Sequence, residues 1–419
     1  MIRRTLASAV LVAVTLAVPA TAQQYITLGP GTWANDVTPD GNIVAGTWPG
    51  GGFIWNWRTD PAPNVILGGD IYGISDDGTV AVGNMSDPVT GEQVAGRWTE
   101  ATGWVSLGGF SSCGSISSGY DVSGDGSTVV GLAWVNGCDA HGFVWTEATG
   151  MQALDSLANG TNRASAISGD GSVIGGFAQG SFSRTPALWS PSDLSGSVPD
   201  LDELGEYYGF NEDGTIALGA TDGGDPFIAP KAFYEIGGLR TSLGGLNGAN
   251  WTSIPEDVTQ DGAVIVGFDV FGLSREAWIW TEASGIVSLA NVLTALGFPG
   301  EATPYVCRAV SEDGNVIVGG QPGSGGPFGF GAFILELSGE NTFTDLEGGT
   351  AGANGIPQLG ATGSLLPNSL FTMNLTGAPA NAPMLAWISL TSTPTPAFGG
   401  TVHAFPPNAE FYVPADGNG

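Results

Sequence analysis

The run Val122-Ser123-Gly124-Asp125-Gly126-Ser127-Thr128-Val129-Val130-Gly131, followed by Gly142-Phe143-Val144-Trp145-Thr146-Glu147, decides how the chain is read. An apolar residue, a hydroxyl residue and one free position lead into Asp-Gly, and an apolar β-prone run leads out. Asp-Gly between two such segments signals a hairpin, because glycine accepts positive φ and the aspartate can bond the turn backbone. The glycine six positions after the aspartate suits a bulge or a close backbone approach.

The pattern recurs along the chain. Asp-Gly stands at Asp40, Asp77, Asp125, Asp170, Asp213, Asp261 and Asp313, at intervals of 37, 48, 45, 43, 48 and 52 residues. Each copy has its glycine six residues on, from Gly46 to Gly319. An aromatic strand follows in each, as in Ala277-Trp278-Ile279-Trp280-Thr281-Glu282; in the copies before the last come a second turn such as Ala148-Thr149-Gly150 and a fourth strand such as Trp104-Val105-Ser106-Leu107-Gly108. Four short strands in about 45 residues match one blade of a β-propeller.

Ser-x-Asp-Gly, Val-x-Gly, aromatic-x-Trp-Thr and Gly-x-x-x-Leu together resemble the HAF family of extracellular bacterial repeats, over about residues 26–337. The resemblance implies the repeat and an extracellular setting; it implies no activity. Copy 5 departs from it, with Tyr234 in place of the tryptophan.

The two ends of the array argue for closure. Copy 7 has no fourth strand after Phe333-Ile334-Leu335, while Gln24-Tyr25-Ile26-Thr27-Leu28-Gly29 reads as a fourth strand without a blade. Pairing these ends removes the free edge, whereas an open solenoid needs polar caps instead. The expected fold is therefore all-β: a seven-bladed propeller of four-stranded blades, with a small β-sandwich-like module after it. The expected boundaries are a signal peptide at 1–22, the propeller at 23–338, a Gly/Thr/Asn-rich linker at 339–356 and the module at 357–419. That module ends on Asp416-Gly417-Asn418-Gly419 with no strand to follow, as a truncated module or one completed by a partner strand does.

Arg3-Arg4, an apolar run from Leu6 to Val18 and Ala20-Thr21-Ala22 read as a secretory leader, too short to span a membrane. Export places the expected product outside the cell or in the periplasm. Ten basic residues face 40 acidic ones, a net charge of −30. Such a chain repels nucleic acid and anionic lipid, and membrane insertion is not expected. The expected partner is an extracellular polymer or protein, and the expected state is a monomer.

Catalytic motifs are missing. Gly-x-Ser-x-Gly, His-Glu-x-x-His and Cys/His zinc spacings do not occur, and the two histidines, His141 and His403, lie in different segments. The Asp-Gly turns carry too few carboxylates for calcium loops, so no metal and no cofactor is expected. Trp55, Trp98, Trp145, Trp189 and Trp280 recur at one repeat position and read as packing between blades. Trp48, Trp134 and Trp251 do not recur and are better ligand candidates. Cys113 enters blade 3 and Cys138 lies between its second and third strands; both connections leave the blade on one face, which predicts a disulfide. That bridge would gather Trp134, Asp139 and His141 into a ligand-binding patch, with Cys307 left as a free thiol. The expected function is a non-enzymatic binding module. The alternative is a carbohydrate-active enzyme, glycoside hydrolase or lyase, with non-repeated carboxylates on the inner strands.

Overall fold

The computed structural model describes residues 23–337, apart from 111–115, 136–138, 158–159, 180–183, 200–202, 226, 300, 302 and 323–329. Elsewhere it describes only the backbone of 10–11, 358–363, 371–376, 383–388, 392–397, 400–404 and 409–414. The leader beyond 10–11, the linker, and both Cys113 and Cys138 lie outside the described residues.

Residues Gln24–Leu337 form one compact unit of seven four-stranded antiparallel sheets. Blade 1 is typical, with strands Trp33–Val37, Ile43–Trp48, Gly51–Asn56 and Asn64–Leu67 in spatial order. Blades 2 to 6 open with Gly69–Ile74, Ser117–Val122, Asn162–Ile167, Gly205–Phe210 and Thr252–Val258. Blade 7 consists of Val306–Val310, Val316–Pro322, Phe330–Glu336 and, as its outer strand, Gln24–Pro30. Each opening strand neighbours that of the next blade, and the seventh neighbours the first, so the fold is a closed seven-bladed β-propeller.

The closing strand pairs as its sequence predicts, with Tyr25 opposite Leu335 and Thr27 opposite Phe333. The Tyr25 ring stacks on Phe333 with centroids 5.7 Å apart, and its hydroxyl donates to Gln321 Oε1 at 2.6 Å.

The Asp-Gly pairs are hairpin turns joining the first two strands of every blade, and all seven therefore lie on one face. In blade 2 the Asp77 carboxylate accepts from the Ser75 hydroxyl (2.8 Å) and the Thr79 N–H (2.9 Å), and the Val80 N–H donates to Ser75 Oγ (3.0 Å). The seven turn glycines have φ between 67° and 73°, a region that costs any residue with a Cβ. The hydroxyl two positions before the aspartate is thus a working part of the turn.

The later glycine faces a β-bulge. In all seven blades the register of the first pair slips beside it, as between Ala34 and Asp36 opposite Gly46. A Cβ on Gly46 would lie 1.8 Å from the Trp33 carbonyl oxygen, and one on Gly131 would lie 2.0 Å from that of Ser118. An aromatic ring closes the other side: Phe53, Phe143, Phe233, Trp278 and Phe333 lie opposite these glycines and are among the largest fully buried side chains. Burying such a side chain contributes about 1.5–3 kcal/mol. The tryptophans two residues later vary more. Trp55 and Trp189 are buried, whereas Trp98, Trp145 and Trp280 are half-buried against neighbouring clusters.

One departure from an all-β reading follows blade 6. Its outer strand ends at Ser288, and Leu289–Ala295 forms a short helix that buries Leu289, Val292 and Leu293. Apolar residues at i, i+3 and i+4 make one helical face.

The second unit, residues 1–23 and 338–419, contains the described strands of the tail. Gln358–Gly363 pairs with Phe371–Thr376, Pro383–Ile388 with Ala409–Pro414, and Ser392–Ala397 with Gly400–Ala404. Val10–Leu11 runs parallel to Pro383–Ile388.

Candidate functional site

The bulge hands each blade one residue that belongs to no sheet face. These residues are Asn35, Tyr72, Tyr120, Ser165, Tyr208, Glu256 and Arg308, all polar or phenolic and all at least partly accessible. Several of them interact with their neighbours in the ring. Arg308 donates to Glu256 at 2.9 Å, and the charge of Arg308 also acts on Tyr72, two blades away. Arg163 binds Glu206 at 2.5 Å and Ser165 at 3.0 Å, and its guanidinium lies 5.4 Å from the Tyr120 ring centroid. Arg184 approaches Glu206 at 4.0 Å. Burial, reinforced by Glu206 and Glu256, raises the Tyr208 phenol well above its ordinary range. These side chains form a belt of phenols and ion pairs around the axis.

Nearer the Asp-Gly face the axis opens into a cavity of about 250 Å³ lined from all seven blades. The position after the bulge holds aspartate in three blades only: Asp36, Asp121 and Asp257. Each accepts two backbone N–H groups, one from its own strand and one from the next blade. Asp36 bonds Val37 (2.7 Å) and Ile74 (2.8 Å), Asp121 bonds Val122 (2.8 Å) and Ile167 (2.9 Å), and Asp257 bonds Val258 and Val310, both at 2.8 Å. The other joints use other polar links on this face. Asp76 N–H donates to Gly124 O, Asp170 N–H to Glu212 O, the Asn211 amide to Gln260 O, and Glu312 N–H to Pro39 O.

Burial dominates the electrostatics of the three aspartates. It pushes Asp121 up to about 6 and Asp257 up to about 7, against the pull of their N–H partners. Asp36 is raised well above its ordinary 3.8 by burial and then by Asp121. Around the mouth stand Asp76, Glu212 and Glu312. Burial and then neighbouring carboxylates raise Asp76 and Glu212. Asp76 packs over Gly124 and Glu212 over Gly169, where a Cβ would meet their oxygens at 2.3 and 1.7 Å. Among the described residues no group of three or more His, Cys, Asp or Glu is arranged to hold a metal ion.

The residues singled out in sequence lie elsewhere. Trp134 ends the second strand of blade 3 on the face opposite the Asp-Gly turns and is 37% exposed. Its partner is Ala140, and His141 lies opposite Ala133. The Asp139 carbonyl accepts the Val135 N–H at 2.8 Å. His141 Nδ1 lies 3.1 Å from Ser156 Oγ. The hairpin places all three at one end of blade 3, with the Trp134 and His141 side chains on opposite faces of the sheet, while the expected bridge falls outside the described residues. Cys307 is a buried free thiol whose pKa burial raises.

Sequence reasoning pointed to non-repeated carboxylates on the inner strands but named none of the axial residues. Their signal was available: the bulge residue and the one after it change from blade to blade.

The architecture defines a seven-bladed propeller with a polar axial belt and an acid-lined cavity on one face. No family model matches the chain, and no curated protein matches it. Solved propellers resemble it at low identity. TolB from Acinetobacter baumannii shares 14% identity over 64% of this chain and 66% of that one, just under two thirds of its length, with a TM-score of 0.38. The β-propeller domain of the Trilobed protease from Pyrococcus furiosus shares 11% over 72% and 92%, with a TM-score of 0.46. An oligogalacturonate lyase from Vibrio parahaemolyticus shares 10% over 75% and 97%, with a TM-score of 0.49. No described helix is long and apolar enough to cross a membrane.

Proposed function

We propose that the chain is a HAF-type repeat protein, secreted to the periplasm or beyond the cell, whose propeller is a non-enzymatic binding module for an extracellular polymer or protein. The observation that carries this reading is the engagement of the axial carboxylates. Asp36, Asp121 and Asp257 each hold two N–H groups, and Glu206 and Glu256 are ion-paired. Acid–base catalysis needs a carboxyl free to give or take a proton at a substrate. The deep axis spends its carboxyls on holding blades together.

A second reading rests on the cavity mouth. Asp76 and Glu212 have raised pKa values and, among the described residues, no strong partner of opposite charge, as a general acid requires.

The two readings separate in one experiment. Residues 23–419 are applied to a glycan and polysaccharide array, and the same polysaccharides are assayed for new reducing ends and unsaturated products. Binding without turnover is expected. Turnover that disappears in D76N or E212Q makes the protein an enzyme.

A further inference from the structure

On the face opposite the Asp-Gly turns, blades 5 and 6 raise three neighbouring segments. The first is the connection between the second and third strands of blade 5, where Phe227 is 89% exposed and Ile228 37%. It runs beside the connection between the two blades: Ala229 N–H donates to Ala249 O at 3.1 Å, and Ser253 N–H to Pro230 O at 2.9 Å. The Lys231 ammonium holds that connection by the carbonyls of Gly248 and Trp251. The third segment is the hairpin tip Phe271-Gly272-Leu273-Ser274, where Phe271 is 55% and Leu273 90% exposed. Trp251 joins it to the rest, its ring 5.9 Å from that of Phe271 and tilted by 38°. Exposed apolar side chains on neighbouring segments of a folded protein mark an interaction site.

Resting on the binding-module reading above, we propose that this surface docks a basic extracellular protein, with Phe227 and Leu273 entering an apolar groove on the partner. Two observations choose that occupant. The first is shape. Phe227 and Leu273 stand out as separate knobs, and the one indole is half covered and inclined against a phenyl ring. Sugars stack on open flat aromatic faces; knobs fill pockets, as hot-spot side chains do at protein interfaces. The second is charge. Asp222 and Asp225 precede Phe227 in its connection, Lys231 is committed to carbonyls, and the chain as a whole carries −30, with Arg275 the single exposed cation at the hairpin. Such a field steers basic partners in and turns polyanions and anionic lipid away.

The test is a phage-displayed random-peptide selection on residues 23–419, with affinities of the winning peptides measured for three proteins. These are the parent, F227D/L273D and V89D, the last altering an equally exposed valine on blade 2. The altered side chains are almost wholly exposed, so unchanged melting temperatures are expected. Peptides combining Lys/Arg with large apolar residues are expected to win. They should bind F227D/L273D at least ten-fold more weakly than the parent, bind V89D unchanged, and weaken with salt. Failure to enrich any peptide overturns the proposal. Winners that bind F227D/L273D as well as the parent overturn this surface and leave the binding-module reading standing. Binding of cellohexaose or of phosphatidylcholine vesicles, if abolished by F227D/L273D, replaces the protein partner with a glycan or a membrane. Self-association abolished by the same substitutions makes the occupant a second copy. Polysaccharide turnover by the parent refutes the binding-module reading and leaves the peptide result to judge the surface.

Discussion

The Asp257 carboxylate of blade 6 accepts the Val310 N–H of blade 7 at 2.8 Å while its other oxygen holds the Val258 N–H of its own strand. One side chain thereby spans a blade joint at its innermost point. D257A leaves two N–H groups without their acceptor, at roughly 1–3 kcal/mol for each group that water does not reach. The expected result is a loss of about 1–3 kcal/mol by urea denaturation at pH 5.5, with D257N milder because one oxygen remains. An unchanged midpoint would show that Asp257 does not act as a staple.

The same staples set a pH dependence. Folding raises Asp121 to about 6 and Asp257 to about 7 from an ordinary 3.8, so the folded state binds more protons than the unfolded state across that interval. Their contribution is full below about pH 4 and is lost as the pH rises through 6 and 7. The turn aspartates act oppositely. Hydrogen bonds hold Asp77 and Asp213 below 3.8, so their contribution is lost as the pH falls through those lowered values. The melting temperature should therefore peak in mildly acidic solution and decline toward pH 8. D121N/D257N should make the neutral limb shallower, with Asp36 and the other raised carboxyls keeping the remainder, and leave the acid limb in place. A melting profile level from pH 5 to pH 8 in the parent would contradict this.

Much of the scaffold was legible because every blade repeats the same physical problem. Asp125-Gly126 announces its turn through glycine's freedom at positive φ, and Gln24–Gly29 announces ring closure by being a fourth strand without a blade. The axial residues were harder to see. Asp121 looks like any surface acid in the sequence, and its role depends on the backbone of another blade, 46 residues on at Ile167. The apolar surface needed the fold as well. Phe227, Trp251 and Phe271 lie in three separate connections, and only Trp251 stood out in the sequence, by not recurring.

The repeat glycine should be unforgiving. A Cβ on Gly176 would stand 1.9 Å from the Arg163 carbonyl oxygen, and a backbone atom yields less readily than a flexible side chain. G176A is expected to cost at least about 2 kcal/mol, within the usual range for forced overpacking. The control is the glycine at 248, where nothing lies within 4 Å of the added carbon. Its alanine variant should melt within about a degree of the parent. Equal effects at the two positions would remove the bulge from the explanation.

Ring closure gives a further outcome. Deleting residues 24–30 strips the outer strand from blade 7 and exposes the edge of Phe330–Glu336 as a template for pairing with other chains. The truncated protein should show rapid amide exchange in blade 7 and concentration-dependent association. Y25F should keep the ring closed and lose only the 2.6 Å bond to Gln321, at about 1 kcal/mol. A truncated protein with parent-like exchange in blade 7 would show that closure needs no N-terminal strand.

The bulge has an evolutionary corollary. It gives every blade one residue outside the register of the first strand pair, and several of these residues interact with their neighbours in the ring. A substitution at one of these positions changes the polar belt while leaving the strand register as it is. A gene that duplicates this blade inherits a fixed frame with one editable letter per copy. Its lineage can rewrite the chemistry of the axis one blade at a time while the ring goes on folding in the same way.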